Sequence, residues 1–184
     1  MKHRASRHRT GTLVLIGAMG SGKSHIARDL ARLSGWPARD LDALIVSRAG
    51  RSIADIFRDE GEAAFRALES DVLRDTLQRG GIIATGGGIV TQKINRTLLQ
   101  SCGAPVVYLR ARAATLAERI RLQPGTRPLI DSGGALNYAQ TLARVKEILR
   151  ARAALYEECA THIFDTDGCV PRELARAMWH AIHA

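Results

Sequence analysis

Gly17-Ala18-Met19-Gly20-Ser21-Gly22-Lys23-Ser24 is the stretch from which the rest of the chain can be placed. The apolar run Leu13-Val14-Leu15-Ile16 precedes it, and a helical pattern from Lys23 to about Leu33 follows, with Ile26, Leu30 and Leu33 at helical spacing. Its glycines therefore fall at a strand-to-helix turn. A glycine-rich turn there brings successive backbone N–H groups to a helix N-terminus, where they cradle a polyphosphate. In that setting Gly20, Ser21 and Gly22 belong to the nest, Lys23 reaches the β- and γ-phosphates, and the Ser24 hydroxyl can ligate Mg²⁺. The full G-x4-G-K-S pattern in this context outweighs an incidental glycine-rich connection.

The chain has 184 residues and 46% hydrophobic content, which suits one soluble α/β domain with a sizeable core. No apolar run approaches the roughly 18 residues of a membrane span, and the N-terminus lacks the apolar core of a signal peptide. No membrane partner and a cytoplasmic location are expected. Cys102, Cys159 and Cys169 lack metal-type spacing and read as reduced thiols. The net charge of +9 invites a nucleic-acid reading, yet Lys2, Arg4, Arg7 and Arg9 place four of the positive charges in a short acid-free leader. Aromatic residues are only 4% of the chain, so no stacking platform supports nucleic acid as the main partner. Residues 1–11 read as a basic flexible tail and 12–184 as a single domain.

From Gly11 onward short apolar runs alternate with helical stretches. Leu13–Ile16, Ala38–Leu41, Ile82–Ala84, Pro105–Leu109 and Thr161–Phe164 read as strands. Helices are expected at Lys23–Leu33, from Asp42, from Ser52 to before Gly61, at Glu62–Gln78, Lys93–Gln100, Ala113–Leu122, Leu136–Glu158 and Pro171–His183. Such alternation implies a parallel sheet covered on both faces. Ligands of such sheets sit beyond the carboxyl ends of the strands, so the loops at 17–24, 40–42 and 85–88 should meet in one crevice. Gln123–Gly134, with two prolines and three glycines, reads as a long loop of the lid type.

A phosphate loop alone says only that a nucleotide binds. The chain lacks the guanine-reading N-K-x-D and a strand ending in the usual Mg²⁺-ligating Asp with switch machinery, which weakens GTPase and motor readings. The candidate acceptor residues are Asp40, Asp42, Arg66, Gly86–Gly88 and Arg152. One carboxylate of the Asp40/Asp42 pair can hold a metal-bound water while the other orients or deprotonates a hydroxyl. The plain alternative is a turn in which Asp42 caps the next helix, and the pair alone does not decide between them. Taken singly, Arg66 and Arg152 read as solvated or snorkelling arginines. Arg127, in Arg127-Pro128-Leu129, is placed to swing onto a transferring phosphate.

Together, G-A-M-G-S-G-K-S, D-L-D, F-R-D-E-G-E-x-x-F-R-x-x-E, T-G-G-G, R-P-L and R-A-A-L-Y-E resemble shikimate kinase, from Thr12 to the last helix. The resemblance implies a kinase fold of the nucleoside monophosphate type: a five-stranded parallel sheet in order 2-3-1-4-5, with a mobile lid at about 121–134. It implies ATP-dependent phosphorylation of the 3-hydroxyl of shikimate, with Mg²⁺. Lys23, with the loop amides through Ser24 and the adjoining His25, would bind ATP, and Ser24, with Asp40 through water, would hold the metal. Asp42 would engage the shikimate hydroxyls as base or orienting group, Arg66 and Arg152 would pair with the carboxylate, and Gly86, Gly87 and Gly88 would contact the ring. Arg127 would be the lid arginine, and Arg121 with Pro171 would sandwich adenine. His25 stands where Thr is common, and Arg152-Ala153-Ala154-Leu155-Tyr156 lacks the proline of the family's frequent R-x-P-L-Y. A monomer is expected. The rivals are a gluconate-type kinase of the same fold and a non-catalytic ligand-sensing module.

Overall fold

The structure, a computed structural model, describes residues 11–122 and 137–183. Five strands, β1 (Thr12–Ile16), β2 (Ala38–Asp40), β3 (Gly81–Ala84), β4 (Val106–Arg110) and β5 (His162–Asp165), form one sheet in the order β2-β3-β1-β4-β5. Every neighbouring pair is parallel. The fold is thus the expected α/β one, with the expected strand order.

The three central strands are apolar on both faces because both faces are covered. Side chains alternate across the sheet. On one side Leu13, Leu15, Ile82, Val107 and Leu109 pack with Ile26, Ala27 and Leu30 of α1 (Lys23–Ser34) and with Ala175 and Met178 of the C-terminal helix Pro171–His183. On the other, Val14, Ile16, Ile83, Val106 and Tyr108 meet α2 (Leu41–Ala49), α3 (Ile53–Arg79), α4 (Lys93–Ser101), α5 (Ala113–Arg121) and α6 (Tyr138–Cys159). The C-terminal helix is α7. The edge strands are less apolar: β2 is Ala-Arg-Asp, and β5 alternates between half-buried and exposed positions.

The helix boundaries follow local chemistry. Ser52 caps α3 by accepting from Asp55 N–H, as its position suggested. The two helices expected on either side of Gly61 are both present within α3 and meet at a kink, where Gly61 takes φ 79°, ψ 176°, a conformation reserved for glycine. Asn137 and Gln140 form a reciprocal capping box at the start of α6. No helix among the described residues is long and apolar enough to cross a membrane. The basic tail, apart from Gly11, and the lid, apart from Arg121 and Leu122, lie outside the described residues.

Candidate active site

The donor side is built by backbone. The loop leaving β1 passes through Gly20 (φ 80°) and Gly22 (φ 94°), and α1 begins on Gly22 with no side-chain cap. A helix start of that kind leaves its first amides directed at a ligand. Lys23 is buried and its Nζ donates to the carbonyls of Gly17 (2.8 Å) and Ala18 (2.9 Å), which sets the ammonium inside the curve of the loop. Ser24 Oγ donates to Asp40 Oδ2 at 2.6 Å, so these two oxygens, from α1 and the end of β2, stand side by side. His25 is exposed on α1.

The cap of α2 falls to Asp40, not Asp42. Asp40 Oδ1 accepts from the backbone N–H of Asp42 (3.1 Å) and Ala43 (3.3 Å), which corrects the helix-capping alternative for Asp42. The Asp42 carboxylate is thereby left for the crevice. It is open to solvent, yet surrounding protein strips enough hydration to raise its pKa, and the negative Asp40 adds to the rise; Lys23 and Arg66 oppose it.

Arg66 is not the solvated arginine that helical spacing alone suggests. Only 6% of it is exposed, and its Nη1 donates to Glu69 Oε2 at 2.7 Å, while Nε and Nη2 donate to Glu62 Oε1 at 3.2 and 3.1 Å. Glu69, one turn on, is 1% exposed. Burial pushes the Glu69 carboxyl up and Arg66 holds it down. A guanidinium can be buried here because two carboxylates occupy its fork.

Gly86, Gly87 and Gly88 are required by space, since none has a positive φ. A Cβ on Gly86 would lie 2.9 Å from Asp42 Oδ1 and 3.0 Å from Glu69 Oε1. On Gly87 it would lie 3.0 Å from Met19 N of the donor loop, and on Gly88 2.5 Å from Arg66 Nη1. The loop is therefore the surface against which donor loop, carboxylates and arginine all close. Thr85 ties it to β1 by donating twice to Leu15 O, from N–H at 3.1 Å and from Oγ1 at 2.9 Å. Arg152, half-buried on α6, reaches it by donating to Gly87 O at 3.3 Å.

Around the residues expected at the adenine, α5 and the start of the C-terminal helix supply the side chains. Arg121 is exposed, with its guanidinium 5.8 Å from the Tyr138 ring centroid, and Pro171 is exposed at the start of α7. Arg119, two residues earlier on α5 and so on another face of the helix, is the α5 arginine that meets the donor loop: it donates to Gly20 O at 3.4 Å, Thr166 Oγ1 at 2.9 Å and Thr166 O at 2.6 Å. Arg127 lies outside the described residues. Sequence reasoning assigned no role to Glu62, Glu69, Arg119 or Tyr156. Glu62, Glu69 and Tyr156 sit inside the quoted motifs, at i−4 and i+3 from Arg66 and at i+4 from Arg152, which was the available signal.

Comparisons with known proteins agree on one family. The family model described as "Shikimate kinase" matches residues 19–183. The shikimate kinase of Streptomyces coelicolor is 40% identical over 171 residues, covering 92% of this chain and 94% of its own length. Among solved structures, the shikimate kinase of Acinetobacter baumannii in complex with shikimate has a TM-score of 0.86 at 32% identity, covering 95% of this chain and 93% of its own. That of Bacteroides thetaiotaomicron has a TM-score of 0.85 at 26% identity, covering 95% and 99%.

Proposed function

The chain belongs to the shikimate kinase family, and we propose how its two half-sites divide the ATP-dependent phosphorylation of shikimate. The reaction forms a bond from the shikimate 3-hydroxyl oxygen to the γ-phosphorus and breaks the bond from that phosphorus to the β-phosphate bridge, giving shikimate 3-phosphate and ADP. It is a step toward chorismate and the aromatic amino acids.

The donor loop holds the polyphosphate through its amides and Lys23, whose ammonium turns from loop carbonyls to phosphate oxygens. Asp42, in its ionised form, accepts a hydrogen bond from the 3-hydroxyl and takes its proton as the new bond forms; the raised pKa brings it closer to the working pH of a base. Arg66, whose two Nη atoms each keep one N–H beyond the bonds to Glu62 and Glu69, and Arg152 take the planar carboxylate. Gly86–Gly88 provide a flat wall for the ring, because any side chain there would meet Asp42, Met19 or Arg66. Arg119 joins Arg121 and Pro171 as a candidate for the adenine side, and Arg127 for the γ-phosphate.

The residues present fit a Mg²⁺ ion. Ser24 Oγ and Asp40 Oδ2 are hard oxygen donors 2.6 Å apart beside the phosphate nest. Such an ion is held by one or two protein oxygens plus phosphates and waters, so no three-residue cluster is needed. Ser24 would ligate it directly and Asp40 through water, and it would neutralise charge on the β- and γ-phosphates. We further propose a monomer working in the cytoplasm, where Cys102, Cys159 and Cys169, all unpaired, would stay reduced.

The observation that carries this reading is the meeting of Asp42, Arg66 and the donor loop on one three-glycine wall. Coupled ADP release with shikimate, quinate and gluconate offered separately tests it. Shikimate should give the high turnover; gluconate turnover with none for shikimate would overturn the assignment.

A further inference from the structure

Two hydrogen bonds end on one carbonyl at the centre of the wall. The Tyr156 hydroxyl and Arg152 Nη1 both donate to Gly87 O. Arg152 and Tyr156 are one turn apart on one face of α6. Tyr156 is fully buried, and its ring stacks on Tyr108 of β4 with centroids 5.0 Å apart and planes at 24°. The ring is thus held by the sheet, and the hydroxyl cannot swing away from Gly87. Burial pushes the pKa of that hydroxyl far up, so it is a neutral donor throughout the working range of the protein. A Cβ on Gly87 would lie 3.0 Å from Met19 N, so Gly87 also sits against the donor loop.

The 87–88 peptide is trans and planar, so its carbonyl and the following N–H point in opposite directions. Fixing Gly87 O against α6 therefore fixes the direction of the Gly88 N–H. We propose that Tyr156 is a positioning residue for the acceptor: its hydroxyl locks the Gly87–Gly88 peptide plane and gives the Arg152 guanidinium a fixed carbonyl to rest on. The inference rests on the acceptor-site reading above and deepens it. Tyr156 acts through Gly87 and Arg152, without touching substrate.

Tyr156→Phe tests this, with Tyr108→Phe as control. Phenylalanine keeps the stacked ring, and Gly87 O keeps Arg152, so the fold survives. Tyr156→Phe should raise the shikimate KM about tenfold, the loss of one hydrogen bond to a preset site, and leave kcat and the ATP KM within about twofold. Tyr108→Phe should leave all three unchanged. Amide hydrogen exchange in the free protein should quicken at residues 86–89 in Tyr156→Phe while α6 keeps its protection. An unchanged shikimate KM, equal rises for shikimate and ATP, or the same rise in Tyr108→Phe would overturn the proposal, as would unaltered exchange at 86–89. If the wild-type protein turned over gluconate and not shikimate, the substrate reading would fall, and the exchange measurement would still decide the role of Tyr156.

Discussion

The donor loop and the acceptor wall face one another across a single crevice and are built on opposite plans. Eight consecutive residues, Gly17–Ser24, make the donor loop, and the groups we propose for binding are mostly peptide N–H groups with one ammonium. The acceptor wall draws Asp42 from α2, Arg66 and Glu69 from α3, Gly86–Gly88 from the end of β3 and Arg152 from α6. Its working groups are side-chain charges, and Arg66 and Glu69 are almost wholly buried. Backbone recognition survives changes of neighbouring side chains. A buried charge network does not, since each member is held by the next.

Three experiments bear on that contrast. Asp42→Asn removes the proposed proton acceptor and keeps the shape and the α2 cap, which belongs to Asp40. We expect kcat to fall about 10²–10⁴-fold in steady-state assays with ATP affinity by calorimetry unchanged. In the proposed mechanism the ionised carboxylate is the active form, so kcat/KM should decline as pH falls through the Asp42 pKa, at a pH above the 3.8 of an ordinary aspartate. That acid limb should be missing from the variant. Equal losses of turnover and ATP affinity would mean that the two halves are not separable at Asp42.

Arg66→Ala strands Glu69 at 1% exposure. Breaking a buried pair from one side costs about 3–5 kcal/mol, to be read by urea unfolding, on top of lost shikimate binding. Arg66→Ala with Glu69→Leu should recover most of the stability and none of the shikimate affinity. Stability unchanged in the single variant would show that the acceptor wall is no more dependent on its charges than the donor loop.

Adjacent glycines give the finest division. A methyl group at Gly88 would press on the Arg66 guanidinium, and one at Gly87 on Met19 N of the donor loop. Gly88→Ala should raise the shikimate KM about tenfold with little change for ATP, whereas Gly87→Ala should affect both substrates. Identical profiles for the two variants would erase the boundary drawn between them.

The donor half was the more legible for the same reason that it is the simpler. Its proposed role follows from contiguous residues at a strand-to-helix turn, and local geometry places them without help from the rest of the chain. Asp40 and Asp42 were visible as a pair, but which one caps α2 depends on side-chain direction at the end of β2, which the D-L-D spacing leaves open. Arg66 shows the limit most clearly. Periodicity puts it beside Phe65 and says nothing of burial, because burial required Glu69 on the same face and Glu62 behind it. On α5 the sequence reading chose Arg121 and passed over Arg119, which the contact with Gly20 and Thr166 brings to the donor loop.

By itself the sequence determined the alternation of strand and helix, the glycine-rich strand-to-helix turn and the end of the sheet at which we place the chemistry. Each of these rests on hydrophobic period or on turn chemistry, which act over a few neighbouring residues. Only the tertiary structure decided which carboxylate is left for the crevice, that Arg66 is buried with Glu69, and that Gly87 is gripped from α6. The grip on Gly87 depends on groups 65 and 69 residues apart arriving within hydrogen-bonding distance; the other two turn on partners two to four residues apart, whose direction and burial are set by the elements packed around them, where desolvation and pairing set the energy of each charge.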